Sequence, residues 1–165
     1  MQSSPAAVIT VSDRCARGET TDRSGPLVAR TLTGAGFGVG AVHVVPDGAA
    51  SVEAAIRTAL QAGARLVVTT GGTGIGPRDA TPEGTRPLLD RELPGLAEAM
   101  RAAGAREVPS AVLSRAVAGV TSGGEEGRAA LVVTLPGSPS GAAAGLAVLV
   151  PLVGHVLDQL DGGAH

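Results

Sequence analysis

Residues 67–82 read Val67-Val-Thr-Thr-Gly-Gly-Thr-Gly-Ile-Gly-Pro-Arg-Asp-Ala-Thr-Pro82, an order that predicts a strand, a loop and a helix. The β-branched start is typical of a buried strand, and the glycines let backbone N–H groups approach an anion. Thr81 is expected to cap the helix and Pro82 to occupy its first position. Arg78 could hold a phosphate, and Asp79 a divalent metal. Glycine turns are common between strands and helices, but the Arg-Asp pair favours a phosphate-handling pocket.

The composition narrows the class of protein. The chain has 165 residues, 44% of them apolar and 17% charged, which fits one domain over residues 1–165. A net charge of −2 and a single aromatic residue, Phe37, argue against a nucleic-acid partner. All 13 basic residues are arginine, which excludes a P-loop lysine and a Schiff-base lysine.

Three further features bear on the compartment of the protein. Cys15 is the only cysteine, so neither a disulfide framework nor a thiolate metal cluster is expected. The start of the chain lacks the basic and apolar regions of a secretory signal. The longest apolar stretch, residues 142–153, is short for a membrane span and contains Gly145 and Pro151. A cytoplasmic protein with no membrane partner is therefore expected.

Hydrophobic patterning along the chain predicts alternating strands and helices. Strands are expected at residues 6–12, 38–45, 65–70, 116–121 and 130–135. Helices are expected at residues 26–36, 51–62, 82–90, 94–103 and 142–160, with Ser51 as a cap and a kink at Pro151. The turn that contains Glu125 and Glu126 is expected to be a solvated tip. This alternation indicates an α/β fold in which helices cover both faces of a parallel sheet.

Four polar loops should meet at one edge of that sheet. Ligands of open α/β sheets bind at the carboxyl ends of the strands. The loops expected at this edge are residues 12–25, the turn with Asp47, residues 71–81 and residues 136–141. The sequence therefore predicts the ligand site at this edge.

Taken singly, the candidate residues leave alternatives open. Asp47 lies in a Pro-Asp-Gly turn, which by itself explains the residue. Asp79 is harder to explain structurally, because a carboxylate would repel a bound anion unless Mg²⁺ lies between them. Ser12 could cap or bind, and Ser114-Arg115 could be an anion contact or an exposed helix end. No histidine pair has metal-ligand spacing and no Ser or Cys has a recognisable base, which disfavours zinc and nucleophilic catalysis.

Motifs spread over the whole chain resemble those of the molybdopterin-binding MoaB/Mog family, which includes the G domain of gephyrin. They are Thr10-Val-Ser-Asp13, Asp22-Arg-Ser-Gly-Pro26, Val45-Pro-Asp47, Thr70-Gly-Gly-Thr-Gly74, Pro77-Arg-Asp-Ala-Thr-Pro82, Pro94-Gly95 with Glu98 and Met100, Leu113-Ser-Arg115, and Leu135-Pro-Gly137. The combination is far more specific than any single motif. The resemblance implies a three-layer α/β/α sandwich with a mostly parallel sheet, and a homotrimer.

The resemblance also implies an activity and a set of site residues. Catalytic members use Mg²⁺ to convert molybdopterin and ATP to adenylyl-molybdopterin and pyrophosphate. The positions that match the functional aspartates are Asp47 and Asp79, expected to be catalytic and to hold Mg²⁺. The implied substrate-binding residues are Ser12, Asp13, Thr70, Gly71, Gly72, Thr73, Gly74, Arg78, Ser114, Pro136, Gly137 and Ser138. Several family members carry Asn or Gln at the last of these positions, which leaves its hydrogen bonds to the pterin open.

Two functions of different classes agree with these observations. The first is a molybdopterin adenylyltransferase, and the second is a non-catalytic molybdopterin-binding or carrier protein. Because some inactive relatives lack the two acids, Asp47 and Asp79 favour the enzyme. A remoter alternative is a relative of the CinA amino-terminal domain, but the short chain favours the cofactor proteins. In the family, a separate MoeA-type partner inserts the metal.

Overall fold

Seven short strands form one sheet in the computed structural model of this chain, which describes residues 4–123 and 127–163. The strands are β1 (Pro5–Val11), β2 (Gly38–Val39), β3 (His43–Val45), β4 (Leu66–Thr70), β5 (Arg91–Glu92), β6 (Ala118–Val120) and β7 (Leu131–Leu135). Their order is β2-β1-β4-β7-β6-β5, with β3 also paired to β1. Strands β2, β3, β4 and β7 join β1 in the parallel part of the sheet.

Helices cover both faces of this sheet. They are α1 (Asp13–Ala16), α2 (Ser24–Gly34), α3 (Ala49–Gln61), α4 (Thr81–Thr85), α5 (Pro94–Glu107) and α6 (Pro139–Leu160), with short 3₁₀ helices at Arg86–Leu88 and Pro109–Leu113. Leu66 and Val68 of β4 pack in one apolar cluster with α2, α5 and α6, whereas Val67 packs in a second cluster with α3. Successive residues of a strand point to opposite faces, so the predicted three-layer α/β/α sandwich is confirmed.

The strand predicted at residues 38–45 is divided in two. Ala6 of β1 pairs with Val39, and Ile9 pairs with His43. Between these pairs β1 advances by three residues and the outer chain by four, so one extra residue interrupts the ladder as in a β-bulge. The division lies at the outer side of β1, where the sheet tolerates it.

The other side of the sheet is antiparallel. Strand β6 runs antiparallel to β7, and β5 runs antiparallel to β6. The prediction of a parallel sheet is therefore wrong for β5 and β6, whereas the mostly parallel sheet that the family resemblance implies is confirmed. The connection of β6 to β7 spans residues 121–130, which is shorter than a parallel crossover requires. The predicted tip with Glu125 and Glu126 lies outside the described residues.

Two predicted caps were wrong. Helix α4 begins at Thr81 itself, with Ala80 in the cap position, and the Thr81 hydroxyl donates instead to the Gly71 carbonyl at 2.8 Å. Helix α3 has Gly48 in the cap position, while the Ser51 hydroxyl donates to the carbonyl of Pro46 at 2.7 Å. In both cases the hydroxyl that was predicted to cap the helix donates a hydrogen bond to a carbonyl of the preceding loop.

Helix α6 is longer than predicted and continuous through Pro151. It is 22 residues long, and an 18-residue window within it has a mean hydropathy of 1.8, so among the described residues it is the one helix long and apolar enough to cross a membrane. Gly145 and Pro151, which were expected to disfavour a membrane span, both lie inside this helix. A core helix meets the same criterion, and Leu146, Leu149 and Val153 of α6 are buried against the sheet.

Candidate active site

The loops that follow β1, β3, β4 and β7 converge at the carboxyl edge of the parallel strands, as predicted. The amide of Gly71 donates to the Leu135 carbonyl at 2.9 Å, and the Thr70 hydroxyl donates to the Pro136 carbonyl at 2.7 Å. These bonds join the loop after β4 to the loop after β7. A second pair of bonds, described below for Asp13 and Asp47, joins the other two loops.

Two glycines allow the loop after β4 to pass close to its neighbours. Gly71 has φ +104°, and a Cβ there would overlap the carbonyl oxygen of Val11 at the end of β1. Gly72 has φ +67°, and a Cβ there would overlap the Thr81 hydroxyl. Both positions are in the left-handed region that favours glycine. Close backbone packing therefore requires these glycines whether or not the loop binds an anion.

The Asp79 carboxylate folds back over the glycine loop. Its Oδ2 accepts from the Gly76 amide at 2.9 Å, and the Asp79 amide donates to the Gly76 carbonyl at 3.1 Å. A Cβ on Gly74 would lie 2.8 Å from the same Oδ2. The half-buried Asp79 carboxylate therefore packs against residues 74–76 of its own loop.

Asp13 and Asp47 hold each other's loops by reciprocal hydrogen bonds. The Asp13 amide donates to Asp47 Oδ2 at 2.9 Å, and the Asp47 amide donates to Asp13 Oδ1 at 3.1 Å. Arg78 joins the same cluster, donating to both Asp13 oxygens at 3.0 and 3.2 Å and to the Asp47 carbonyl at 2.8 Å. The Arg78 guanidinium holds the pKa of the Asp13 carboxyl below its ordinary value by hydrogen bonding.

Two adjacent cavities open at this edge, which we call cavity A and cavity B. Cavity A has a volume of about 480 Å³ and cavity B about 540 Å³. Gly72, Asp79 and Gly137 line both, so the cavities meet at these three residues. Asp79 is therefore the acidic residue common to the two.

Most predicted site residues line one of these cavities. Those in cavity A are Thr73, Gly74, Ser114, Pro136 and Ser138, and those in cavity B are Ser12, Asp47, Thr70 and Gly71. Asp13 and Arg78 line neither. Their side chains form an ion pair with each other, because the fold brings together the loops that carry these opposite charges.

Two of the predicted residues also have structural roles. Ser12 accepts from the Cys15 amide at 3.2 Å and caps α1, and Ser138 accepts from the Gly141 amide at 3.1 Å and caps α6. Capping and cavity lining are thus combined in both serines. Ser12, for which the sequence leaves capping and binding open, is a helix cap that also lines cavity B.

Other lining residues were not singled out from the sequence. Cavity A has an apolar rim that includes Ile75, Val108 and Leu113, whose exposed fractions are 73%, 46% and 54%. Cavity B includes Arg23, the one cationic residue in its lining, next to Asp22. Arg23 and Leu113 lie within motifs of the family resemblance, but an isolated apolar or basic residue in a loop carries no periodic signal, so the convergence of the loops is what places these residues in the lining.

The residues present fit the Mg²⁺ that the family resemblance implies. Asp47 and Asp79 both line cavity B, and each has one carboxylate oxygen bonded to a backbone amide. Within the described residues their other oxygens accept no hydrogen bond, which leaves hard ligands for a cation. The described part of the chain has no group of three or more His, Cys, Asp or Glu residues suited to a metal. Two carboxylates suffice for Mg²⁺, which commonly takes its other ligands from water and substrate phosphates.

Comparisons with known proteins show the family to which this chain is similar. A family model described as "Probable molybdopterin binding domain" matches residues 7–155. A "Molybdopterin adenylyltransferase" of Pyrococcus furiosus is 45% identical over 151 residues, which covers 91% of this chain and 87% of that protein. The crystal structure of the "tungsten cofactor synthesizing protein MoaB" of Pyrococcus furiosus matches with a TM-score of 0.88 and 40% identity, covering 97% of this chain and 98% of the other.

A longer relative has a different organisation. The "Molybdenum cofactor biosynthesis bifunctional protein" of Synechococcus elongatus is 43% identical over 160 residues, which covers 97% of this chain. The chain spans only 48% of that protein, about half its length. The similarity therefore extends to one part of the bifunctional relative.

Proposed function

This chain belongs to the molybdopterin-binding MoaB/Mog family, and from that membership we propose that it transfers AMP from ATP to the terminal phosphate of molybdopterin. The products would be adenylyl-molybdopterin and pyrophosphate. The observation that carries the proposal is the junction of cavities A and B at Asp79, beside a glycine loop. Such a junction lets two phosphate-bearing substrates meet next to a carboxylate.

We assign ATP to cavity B and molybdopterin to cavity A. Cavity B is lined largely by hydroxyl and carboxylate groups and includes Arg23, which would suit a triphosphate that binds together with Mg²⁺, since the cation would separate its oxygens from the carboxylates. Cavity A combines polar groups such as Ser114 with the apolar rim around Leu113, which suits a flat heterocycle with a polar edge. The reacting phosphates would then meet beside Gly72 and Asp79.

The reaction is an in-line displacement that needs no protein nucleophile. An oxygen of the terminal molybdopterin phosphate forms a bond to the α-phosphorus of ATP, and the bond to the bridging oxygen of pyrophosphate breaks. Backbone amides of the glycine loop would orient the phosphates. Asp47 and Asp79 would hold Mg²⁺, which neutralises the charge that develops on the phosphate oxygens.

The proposal extends to assembly, partners and location. We propose that residues 1–165 act as one molybdopterin-binding domain that forms a homotrimer. The adenylylated product would pass to a MoeA-type partner for metal insertion, in the cytoplasm. The substrates are small molecules, and neither nucleic acid nor a membrane is part of the proposed function.

The test is incubation of the purified chain with molybdopterin, ATP and Mg²⁺, with adenylyl-molybdopterin and pyrophosphate measured as products. We expect both products in equal amounts, and none when EDTA replaces Mg²⁺. Molybdopterin binding without either product would reject the transferase and support the carrier protein. Absence of molybdopterin binding would reject both functions.

A further inference from the structure

One arginine outside both cavities joins the two ends of the loop that carries Asp79. Arg115 Nε donates to the Gly74 carbonyl at 2.8 Å, and its Nη2 donates to the Asp79 carbonyl at 2.9 Å. Its Nη1 pairs with Glu83 of α4. The backbone amide of Arg115 also donates to the Thr73 carbonyl at 2.7 Å. One residue therefore contacts the loop on both sides of its exposed part, residues 75–78.

The guanidinium acts as a rigid spacer across this loop. Residues 75–78 between the two contacted carbonyls are exposed and include Gly76, so fixing their conformation costs entropy that the contacts at the two ends of the segment must offset. Guanidinium nitrogens lie in one plane at fixed separations, so two carbonyls bound to the same group are held at a fixed distance. A lysine ammonium could not bind both carbonyls and Glu83 in this geometry.

The separation of these carbonyls determines where the Asp79 carboxylate lies. That carboxylate is bonded to the amide of Gly76, inside the spanned segment, and it borders both cavities. A change in the span would move the Asp79 backbone, and the carboxylate would move with it. Arg115 thus acts on the Asp79 carboxylate through the Asp79 backbone carbonyl, without contacting the carboxylate itself.

We propose that Arg115 is a positioning residue that holds the 74–79 loop so that the Asp79 carboxylate stands between cavities A and B. The inference rests on the proposed function, since it assigns to the loop geometry a part in AMP transfer. For Arg115 it replaces both interpretations of Ser114-Arg115 that the sequence left open, since the half-buried side chain is neither an anion contact nor an exposed helix end. All three guanidinium nitrogens are engaged with protein groups, and Arg115 lines neither cavity, so it is not an anion contact.

The kinetic test compares wild type with Arg115→Lys and Arg115→Ala. We expect kcat to fall about 100-fold in both variants, because a displacement of about 1 Å near the reacting groups has an effect of that order. The KM for molybdopterin should stay within about 3-fold of wild type, since uniform binding is retained. The Mg²⁺ concentration for half-maximal rate should rise. Retention of kcat in Arg115→Lys would overturn the proposal.

Arg65 provides a matched control at the opposite edge of the sheet. Its Nε donates to the Ala129 carbonyl at 2.7 Å and its Nη2 pairs with Asp161 at 3.0 Å, so it also joins a carbonyl and a carboxylate. We expect Arg65→Ala to lower the melting temperature while kcat of the folded protein is unchanged. An equal fall in kcat for Arg65→Ala and Arg115→Ala would show that general destabilisation is the cause, and would also overturn the proposal.

Hydrogen exchange tests the same inference without any substrate. In the free protein the Gly76 and Asp79 amides are both hydrogen-bonded within the loop. We expect them to exchange faster in Arg115→Lys than in wild type, with exchange in β4 unchanged. Unchanged loop exchange would refute the positioning role. If wild type transfers no AMP, the proposed function fails, and this exchange measurement still decides whether Arg115 holds the loop.

Discussion

At the scale of single residues, the carboxylates of the site divide into two kinds. Asp13 and Asp22 have both side-chain oxygens engaged: Asp13 binds Arg78 and the Asp47 amide, and Asp22 binds the Thr10 hydroxyl and the Gly25 amide. Asp47 and Asp79 each bind one backbone amide and keep the other oxygen for a ligand. Asp13 and Asp22 therefore stabilise the loops, whereas Asp47 and Asp79 each have one carboxylate oxygen that could bind a ligand.

Asp79→Asn should separate binding from turnover. The amide can still accept from the Gly76 amide, so the loop and molybdopterin binding should be retained, while the charge that would hold Mg²⁺ is lost. We expect AMP transfer to fall by about 100-fold or more. Product formation and molybdopterin affinity would be measured together. Asp158→Asn on the exposed side of α6 serves as the control, and undiminished turnover in Asp79→Asn would remove this residue from catalysis.

The Asp13–Arg78 pair should contribute to acid sensitivity. The folded-state pKa of Asp13 is lowered from its ordinary value of 3.8, mainly by the hydrogen bond to Arg78. A lowered pKa means that the contribution to stability is present above pH 3.8 and is lost as the pH falls through the folded-state pKa. We expect the melting temperature of Asp13→Asn to lie below that of wild type at pH 6. The two should approach each other toward pH 2, and a constant difference over this range would contradict the assignment.

At the scale of elements, helix α6 shows how small residues set the distance between layers. Gly145 faces Leu135 of β7, and a Cβ there would lie 2.6 Å from a Leu135 methyl carbon. Leu135 is fully buried and has little freedom to move. Gly154, about two and a half turns later and so on the opposite side of the helix, is exposed, and a Cβ there would meet nothing within 4 Å. The same residue type thus has opposite roles in one helix.

Alanine substitutions in α6 should therefore have effects of opposite sign. Gly154→Ala should stabilise the protein by about 0.5–1 kcal/mol, because glycine inside a helix has excess freedom in the unfolded chain. Gly145→Ala should destabilise it by about 1–3 kcal/mol through overpacking against the sheet. Urea unfolding of the two variants measures both values. A stabilising Gly145→Ala would mean that α6 is not in close contact with β7.

At the scale of the whole molecule, the site depends on strands that meet only in the folded sheet. Cavity B takes its walls from the loops after β1, β3, β4 and β7, whose strands are spread over most of the chain. At the opposite edge, where the parallel strands begin, the guanidinium of Arg65 just before β4 binds Asp161 just after α6. Ala129 and Asp161, which Arg65 contacts, line neither cavity, so Arg65 can be substituted without removing a contact of the site.

The proposed homotrimer is a prediction at this scale. Light scattering of the purified chain should give three times the 16.1 kDa chain mass at micromolar concentration. Sedimentation at several concentrations provides a check against nonspecific association. A monomer at the concentration used for the activity assay would contradict the trimer, and activity in that state would show that each chain has a complete site.

Much of the fold was predictable because its signals are local. Strands β4 and β7 are short β-branched runs buried on both faces, and both were predicted within one residue at each end. The edges of the sheet were predicted less well. The interruption between β2 and β3 and the antiparallel direction of β6 depend on pairing with β1 and β7, which no pattern within a single strand encodes.

The sequence by itself determined the alternation of strands and helices, the glycine loop after β4, and the edge of the sheet at which the polar loops converge. Only the tertiary structure decided the partners of the charged side chains: Arg78 binds Asp13, and Arg115 binds the Gly74 and Asp79 carbonyls. The reason is physical. Local conformation follows from each residue's own backbone preferences, whereas an arginine bonds to whichever acceptors the folded chain places within about 3 Å of it.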